Sequence, residues 1–283
     1  MRESSGIRNK RGFAGRAARL QALRRCTRWA PVIGASTLGA LEGYDLVVAD
    51  GLALADHDDS LARGRLAAVP DGVLAISYLS LGTVEAWRSY AATVPEACTL
   101  GAVPGWKGER YVDAGHHSWQ EIMLREAIAI AERGFDGLFL DNLDVADEYP
   151  ETRAGLVDLV ERLRADVPDL LLVAQNGLGT INRLPVDAIA HEDTWWRWEA
   201  DTYMASDPQE TDTILAGLRL QRARGLTVFT LDYTEPDATA ADEVAARSRE
   251  EGFVPAISVL ALDRLPHAPR RHDLSPVLPI GAA

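Results

Sequence analysis

The chain has 283 residues, 47% of them apolar and 25% charged, so it is long enough to bury the core of one large α/β barrel or of two ordinary domains. No apolar run approaches the roughly 18 to 20 residues that a membrane-spanning helix needs, and no membrane span is predicted. The formal net charge of −13 argues against a nucleic-acid partner and favours a cationic ligand, although most of this charge can be solvated surface.

The first 28 residues differ in charge from the rest of the chain. They contain nine Lys or Arg and one acidic residue, whereas residues 29–283 contain 20 basic and 41 acidic residues. They lack the apolar stretch of a secretory signal, so the compartment is left open, with the cytoplasm as the default and export as the alternative. We expect residues 1–28 to form a flexible basic arm. Cys26 and Cys98 are the only cysteines and are expected to be unrelated thiols.

Eight short runs rich in strand-forming residues and bounded by Gly, Asp or Pro predict strands. In chain order they fall within 29–35, 44–50, 71–82, 134–144, 170–177, 186–195, 226–233 and 253–259. Helical periodicity between them predicts helices over 118–134, 153–168, 212–225 and 241–252. In the first of these helices, Ser118 and Glu121 are expected to form a capping box and Gly134 to end the helix.

Apolar strands that alternate with helices indicate a parallel sheet covered on both faces. Eight of them predict a single (β/α)8 TIM barrel over residues 29–265, with its active site at the C-terminal face of the strands. No Gly-rich phosphate fingerprint follows the first strand, which disfavours an open dinucleotide-binding sheet. Residues 83–117 are expected to be an irregular loop on one face of the barrel, and residues 266–283 a Pro/Arg-rich tail.

Polar residues follow strand after strand, and in a parallel barrel all these strand ends open on one mouth. Any single one of them can be a helix cap or a turn former, but six segments together indicate an active site. The residues concerned are Asp50, Ser80, Asp141, Asn142, Gln175, Asn176, Glu192, Asp193, Asp232 and Tyr233.

The chemistry available to this set is narrow. The sequence has no nucleophile elbow and no HxH or HExxH zinc spacing, so no metal and no cofactor is predicted. His191 alternates with Glu192 along its strand and is expected to pack away from the mouth. What remains is a pair of carboxylates with amides and aromatic rings, the groups that cleave a glycosidic bond. Candidate aromatic platforms for a sugar ring are Trp106, Tyr111, Trp195, Trp196, Tyr203 and Tyr233.

Six segments carry a family resemblance, namely "DGVLAISYLSLG", "ERYVDAGHHSWQEIM", "GFDGLFLDNLD", "VAQNG", "AHEDTW" and "TLDY". In this order they resemble glycoside hydrolase family 114, the endo-α-1,4-polygalactosaminidases and their relatives, from about Tyr44 to Val259. The resemblance implies a (β/α)8 fold and a catalytic pair made of the Asp of "LDN" and the Glu of "ED", here Asp141 and Glu192. We expect Asp141 to be the nucleophile and Glu192 the general acid/base of a retaining mechanism.

The resemblance also implies a polysaccharide substrate whose galactosamine units carry ammonium groups. Asp144, Asp193 and Asp232 are expected to hold these groups by charge-assisted hydrogen bonds. The full set expected to bind substrate is Asp50, Tyr78, Ser80, Trp106, Tyr111, Asn142, Asp144, Gln175, Asn176, Asp193, Trp195, Asp232 and Tyr233. One departure concerns the loop after the third strand, where relatives have Gly-Glu and this chain has Gly82-Thr83, with Glu85 two positions further on.

Two other classes of function remain open from the sequence. The altered loop at Thr83 fits a carbohydrate-binding barrel that has lost catalysis. Alternatively, Asp50, Asp141 and Glu192 can be read as oxygen ligands of a metal-dependent lyase or aldolase-type barrel.

Overall fold

The computed structural model describes residues 13–52, 60–235 and 239–267. Its centre is a nearly closed barrel of eight parallel strands that are hydrogen-bonded in chain order, with the eighth lying against the first. The strands are β1 (Trp29–Pro31), β2 (Leu46–Ala49), β3 (Leu74–Ser80), β4 (Gly137–Asp141), β5 (Leu171–Gln175), β6 (Ala188–Glu192), β7 (Thr227–Tyr233) and β8 (Val254–Ser258). The predicted (β/α)8 fold is confirmed.

The barrel interior is filled by alternate residues of the strands. The ring of Trp29 lies 5.1 Å from that of Phe229 and 6.2 Å from that of Phe139, although the three residues belong to β1, β7 and β4. Contacts between such distant strands are possible only across the interior, so these positions define its inward face. Because side chains alternate along a strand, Asp141 in β4 and Tyr233 in β7 share this inward face, two and four residues beyond the phenylalanines.

The helices surround the barrel. They are α1 (Arg16–Leu23), α2 (Ser60–Ala67), α3 (His117–Arg133), α4 (Val145–Glu148), α5 (Arg153–Asp166), α6 (Pro208–Ala223) and α7 (Thr239–Glu250). Gly134 ends α3 in the left-handed conformation at φ 96°, as predicted. The predicted capping box of α3 is wrong, because His116 is the N-cap and its Nδ1 accepts from the Ser118 backbone N–H at 3.2 Å. No α-helix within the described residues is long and apolar enough to cross a membrane.

The flexible arm predicted over residues 1–28 does not extend over residues 16–23, because α1 packs against the barrel. Arg19 pairs with Asp136 at 3.0 Å, Arg16 pairs with Asp187, and Leu23 is fully buried. Residues 1–12 of the predicted arm lie outside the described residues. At the other end of the chain, the His267 backbone N–H donates to the carbonyl of Ile257 in β8 at 2.7 Å, and the remainder of the predicted tail lies outside the described residues.

Two insertions rise from the carboxyl ends of barrel strands. After β3, a three-stranded antiparallel sheet is formed by Thr83–Glu85, Thr99–Ala102 and Glu109–Val112, where the sequence predicted an irregular loop. After β6, a hairpin is formed by Trp196–Glu199 and Thr202–Ala205. Since β3 and β6 are three strands apart in the barrel, the sheet and the hairpin stand on different sides of its mouth.

The two cysteines are independent of each other. Cys26 and Cys98 are both buried and both free, as the sequence predicted.

Candidate active site

A cleft of about 820 Å³ opens at the carboxyl ends of the barrel strands. Its floor includes Asp141, Glu192 and Tyr233, which end β4, β6 and β7, and Tyr78, which lies two residues before the end of β3. The three-stranded sheet contributes Trp87 and Trp106 from its loops, and the hairpin contributes Trp198 and Tyr203. The cleft thus has a carboxylate-bearing floor and aromatic walls on two sides, the arrangement of a carbohydrate site.

Asp141 lies on the cleft floor and is half-buried. The amide of Asn142 donates to its Oδ2 at 3.2 Å, and the hydroxyl of Tyr78 is a second hydrogen-bonding partner. Burial, and after it the negative charge of Glu192, raise the pKa of Asp141 well above its usual range. The effect of Glu192 means that the two carboxyls share one electrostatic environment.

Glu192 is held through both of its carboxylate oxygens. The Asn176 amide donates to Oε1 at 2.8 Å, and the Tyr233 hydroxyl donates to Oε2 at 2.6 Å. Asn176 Oδ1 accepts in turn from the Glu192 backbone N–H at 3.2 Å. Burial, followed by the charge of Glu192, raises the pKa of Tyr233 well above its usual range, so this phenol remains a donor.

The residue directly after each of β4, β5 and β6 is left-handed. Asn142 and Asn176 both have φ 58°, and Asp193 has φ 57°. Asn and Asp tolerate this conformation better than other residues with a side chain. The two asparagines then reach the carboxylates at the strand ends, so these residues, predicted to bind substrate, orient Asp141 and Glu192 in the structure.

The structure brings together part of the predicted site. Among the predicted residues, those that line the cleft are Asp50, Tyr78, Trp106, Asp141, Asn142, Glu192, Tyr203 and Tyr233. Those that do not line it are Ser80, Tyr111, Asp144, Gln175, Asn176, Asp193, Trp195, Trp196 and Asp232.

Asp232 and Trp195 are buried at the start of the hairpin and are hydrogen-bonded within the protein. Asp232 is fully buried and its Oδ1 accepts from the backbone N–H groups of Trp195 at 2.6 Å and Trp196 at 2.9 Å. Trp195 is buried, and its indole donates to Ser248 Oγ at 2.8 Å. The predicted sugar contacts of Asp232 and Trp195 are therefore wrong, because both side chains anchor the start of the hairpin from the outward side of the strands.

Other predicted contacts are replaced by internal ones. Ser80 is fully buried and hydrogen-bonds Thr83 Oγ1 at 2.8 Å, so it cannot reach a ligand in the cleft. Gln175 is buried below the floor, and Tyr111 packs against Tyr149 with ring centroids 5.4 Å apart. Asp144 is exposed at the start of α4, beside the cleft.

The carboxyl of Asp193 lies next to Glu192 but outside the cleft lining. Burial, followed by the charges of Glu192 and Asp232, raises its pKa to about 8. His191 lies on the other face of β6 from Glu192, and its Nδ1 is 2.6 Å from the Glu192 carbonyl oxygen. Burial lowers the pKa of His191, which fits a packed histidine rather than a base in the cleft.

The sequence interpretation did not assign Glu85, Arg88, Glu109, Trp87 and Trp198, which all line the cleft. Arg88 pairs with Asp50 at 2.7 Å and also with Glu85. The loop that lacks the Gly-Glu of relatives thus still brings a carboxylate to the cleft, through Glu85 two positions later. Thr83 and Glu85 are two residues apart, so in a strand they share one face, and this spacing could have placed Glu85 at the cleft from the sequence.

The arrangement of the possible metal ligands does not favour the metal-dependent alternative. Asp50, one of the three proposed oxygen ligands, is engaged by Arg88 and lies 3.9 Å from Arg65. Within residues 13–52, 60–235 and 239–267, no three His, Cys, Asp or Glu side chains are grouped so that they could hold a metal ion.

Comparison with known proteins agrees with this geometry. Residues 18–272 match the model of glycoside-hydrolase family GH114. An uncharacterised protein of Deinococcus radiodurans is 31% identical over 242 residues, which are 78% of this chain and 75% of the relative. The solved glycoside hydrolase domain of PelA from Pseudomonas aeruginosa is similar with a TM-score of 0.72 and 25% identity, over 86% of this chain and 99% of that one. Aspergillus fumigatus Ega3, solved in complex with galactosamine, has the same fold with a TM-score of 0.69 and 18% identity, over 86% of this chain and 96% of that one.

Proposed function

Because the chain belongs to glycoside-hydrolase family GH114, we propose that it cleaves an α-1,4-linked polysaccharide rich in galactosamine, using Asp141 and Glu192. The observation that carries this proposal is that Asp141 and Glu192 are the last residues of β4 and β6, and that both side chains face inward and line one cleft. A sugar ring in this cleft would have one carboxyl group available on each side of its glycosidic bond.

In the proposed retaining reaction, Asp141 attacks the anomeric carbon while Glu192 gives its proton to the departing glycosidic oxygen. The C–O bond to the leaving sugar breaks, and an ester forms between Asp141 and the anomeric carbon. Glu192 then takes a proton from water, the oxygen of that water attacks the anomeric carbon, and Asp141 is released. One proton and two carboxyls are therefore sufficient for a complete turnover.

The electrostatic repulsion between the two carboxyls supports this sharing of one proton. When Glu192 is ionised, its negative charge adds to burial in raising the pKa of Asp141, so the ionised form of Asp141 is disfavoured. With the proton on Glu192 that repulsion is absent, and the donors Asn142 and Tyr78 stabilise the Asp141 carboxylate. The pair then has the protonation states that the first step requires.

Three features support a galactosamine polymer as the substrate. The cleft is lined by five carboxyl groups and three guanidinium groups, two of which are buried, and the excess of carboxyl groups favours a cationic ligand. Ega3, a similar fold, was solved with galactosamine. The exposed indoles of Trp87 and Trp106 on the sheet, and the half-buried indole of Trp198 on the hairpin, offer stacking surfaces on both sides of the floor. Platforms on both sides suit a chain that passes through the cleft, and hence cleavage within the polymer.

The test is incubation of the protein with deacetylated and acetylated α-1,4-galactosamine polymers, followed by product sizing and NMR of the first-formed anomer. We expect oligosaccharides of intermediate length with retained α configuration. D141N and E192Q should each lose nearly all activity while retaining the circular dichroism spectrum of the fold. Binding without new reducing ends in the unmodified protein would favour the carbohydrate-binding alternative instead.

A further inference from the structure

The three-stranded sheet brings two glutamates directly opposite each other. Strands Thr83–Glu85 and Glu109–Val112 are antiparallel neighbours, and in their register Glu85 faces Glu109. Both side chains are buried and both line the cleft. Like charges directly opposite on neighbouring strands are destabilising, so this pairing costs stability unless a cation offsets it.

Arg88 forms an ion pair with only one of the two glutamates, although its positive charge also acts on Glu109 at longer range. Arg88 pairs with Glu85 and with Asp50. The carboxyl of Glu109 has one hydrogen bond, a long one of 3.4 Å from Thr83 Oγ1 to its Oε2. Among the residues that the structure describes, no Lys, Arg or His lies within ion-pair distance of Glu109. Only 8% of this residue is exposed to solvent. A carboxyl group this deeply buried is thus left facing the cleft without a cationic partner.

Glu109 is connected to the floor of the cleft through a short series of hydrogen bonds. Asn142 Nδ2 donates to Thr83 Oγ1 at 3.2 Å, and the same amide contacts Asp141 at 3.2 Å. Burial, and after it the negative charges of Asp141, Glu85 and Glu109, raise the pKa of the Tyr78 phenol, so the three carboxyls act on one shared group. Glu109 therefore lies close to the catalytic pair without belonging to it.

The surroundings of Glu109 suit a sugar ring. A Cβ atom placed on Gly108, the residue before Glu109, would lie 3.6 Å from the ring of Trp87, so this indole is close to the strand that carries Glu109. Trp106 stands 52% exposed on the adjoining turn. An indole surface can take the apolar face of a ring while the carboxyl receives a polar substituent at its edge. A multivalent metal is a poorer fit, since the described residues contain no group of three potential ligands.

We propose that Glu109 binds the ammonium group of a deacetylated amino-sugar unit in a subsite next to the catalytic pair, an inference that rests on the function proposed above. The ammonium offsets the repulsion between Glu85 and Glu109 and forms a charge-assisted hydrogen bond in a partly desolvated place. An N-acetylated unit has no positive charge and gains neither. Burial, followed by the charge of Glu85, raises the pKa of Glu109 to about 7, and a bound cation would shift its ionisation back toward lower pH.

The test uses D141N, in which ligand is not consumed, and measures calorimetric affinity for deacetylated and N-acetylated α-1,4-galactosamine oligomers. Adding E109Q should weaken binding of the deacetylated oligomer about tenfold and leave the acetylated oligomer unaffected. E96Q is the matched control, because Glu96 belongs to the same insertion but is exposed and pairs with Arg110 at 2.6 Å. Glutamine keeps the shape of Glu109 and removes the cross-strand repulsion, so the melting temperature should not fall.

The outcomes separate this inference from the proposed function. Equal affinity in D141N and D141N/E109Q, equal losses for both oligomers, or no binding of either oligomer by D141N would each overturn the role of Glu109. If the unmodified protein cleaves neither polymer while D141N still binds the deacetylated oligomer through Glu109, the hydrolase proposal fails and the subsite stands. If the unmodified protein cleaves and E109Q has unchanged selectivity, the subsite fails and the hydrolase stands.

Discussion

Asn176 and Glu192 hold each other in a reciprocal pair. The Asn176 amide nitrogen donates to Glu192 Oε1 at 2.8 Å, and its oxygen accepts from the Glu192 backbone N–H at 3.2 Å. Because Asn176 is the first residue after β5 and has φ 58°, the turn that ends one strand fixes the proposed acid/base at the end of the next. The contribution of the Asn176 side chain to the rate can be measured with substitutions that keep this turn.

We expect N176G and N176D both to lower kcat, by about 10- to 100-fold, the equivalent of one hydrogen bond to a charged group. Both substitutions keep a residue that tolerates the left-handed conformation, so the fold should survive. N176D should have the larger effect, because it replaces a donor with a negative charge beside Glu192. Steady-state kinetics on a galactosamine polymer measure both values; a kcat unchanged in N176G would remove Asn176 from the positioning of Glu192.

The roles within the catalytic pair can be assigned by rescue with azide. In D141G, azide should enter from the face opposite the leaving group and give a β-glycosyl azide, since the nucleophile is missing. In E192A, azide should attack the ester on Asp141 and give the α-glycosyl azide, and the unrescued rate should fall by about 10²- to 10⁴-fold. NMR of the azide products distinguishes the two. The opposite stereochemistry in the two variants would exchange the roles of Asp141 and Glu192.

Asp232 should affect how stability depends on pH. Burial raises its pKa to about 7 in the fold, with the backbone N–H groups of Trp196 and Trp195 opposing this effect. The folded protein therefore keeps a proton that the unfolded chain releases above its ordinary pKa near 4, so this group's contribution to stability falls as pH rises toward 7. D232N does not titrate. The stability of D232N relative to the unmodified protein should rise by about 1 kcal/mol per pH unit between pH 5 and 7, measured by urea unfolding. Parallel stability curves would mean that Asp232 ionises normally.

Trp106 offers a test of the aromatic walls. Its side chain is 52% exposed and lines the cleft away from the carboxylate floor. We expect W106A to raise KM for a long polymer about tenfold through the loss of one stacking contact, with little change in kcat. The shortest cleavable oligosaccharide should be less affected, and W106F should restore part of the affinity. L220A, which removes an equally exposed apolar side chain from α6, is the control. Equal KM values for W106A and L220A would show that Trp106 does not contact the polymer.

The sequence was sufficient for the barrel, for a physical reason, whereas the family resemblance supplied the candidate pair. Strands buried on both faces leave continuous apolar runs, and those that become β4 and β6 each end abruptly on Asp141 and Glu192. Local patterns of this kind need no knowledge of distant partners. The alternation of side chains along a strand also excludes one of the predicted substrate contacts. Asp232 and Tyr233 are neighbours in one strand, so only one of them can face the mouth.

The rest depended on contacts between distant parts of the chain. After Glu192 the strand pattern ends, because left-handed Asp193 breaks the alternation, and nothing in the sequence then decides which of Trp195 and Trp196 is buried. Glu109 is separated from Glu85 by a long segment without strong periodicity, and only antiparallel pairing brings the two together. A single sequence does not specify that register.

The two insertions have an evolutionary consequence. The proposed catalytic carboxyls stand at the ends of barrel strands, whereas the aromatic walls and Glu109 belong to the two insertions, within residues 83–112 and 196–205. We therefore expect changes in these two segments to alter the polymer preference of this barrel without altering the stereochemical outcome of the proposed reaction. Grafting residues 83–112 from a relative onto this barrel should transfer that relative's preference intact.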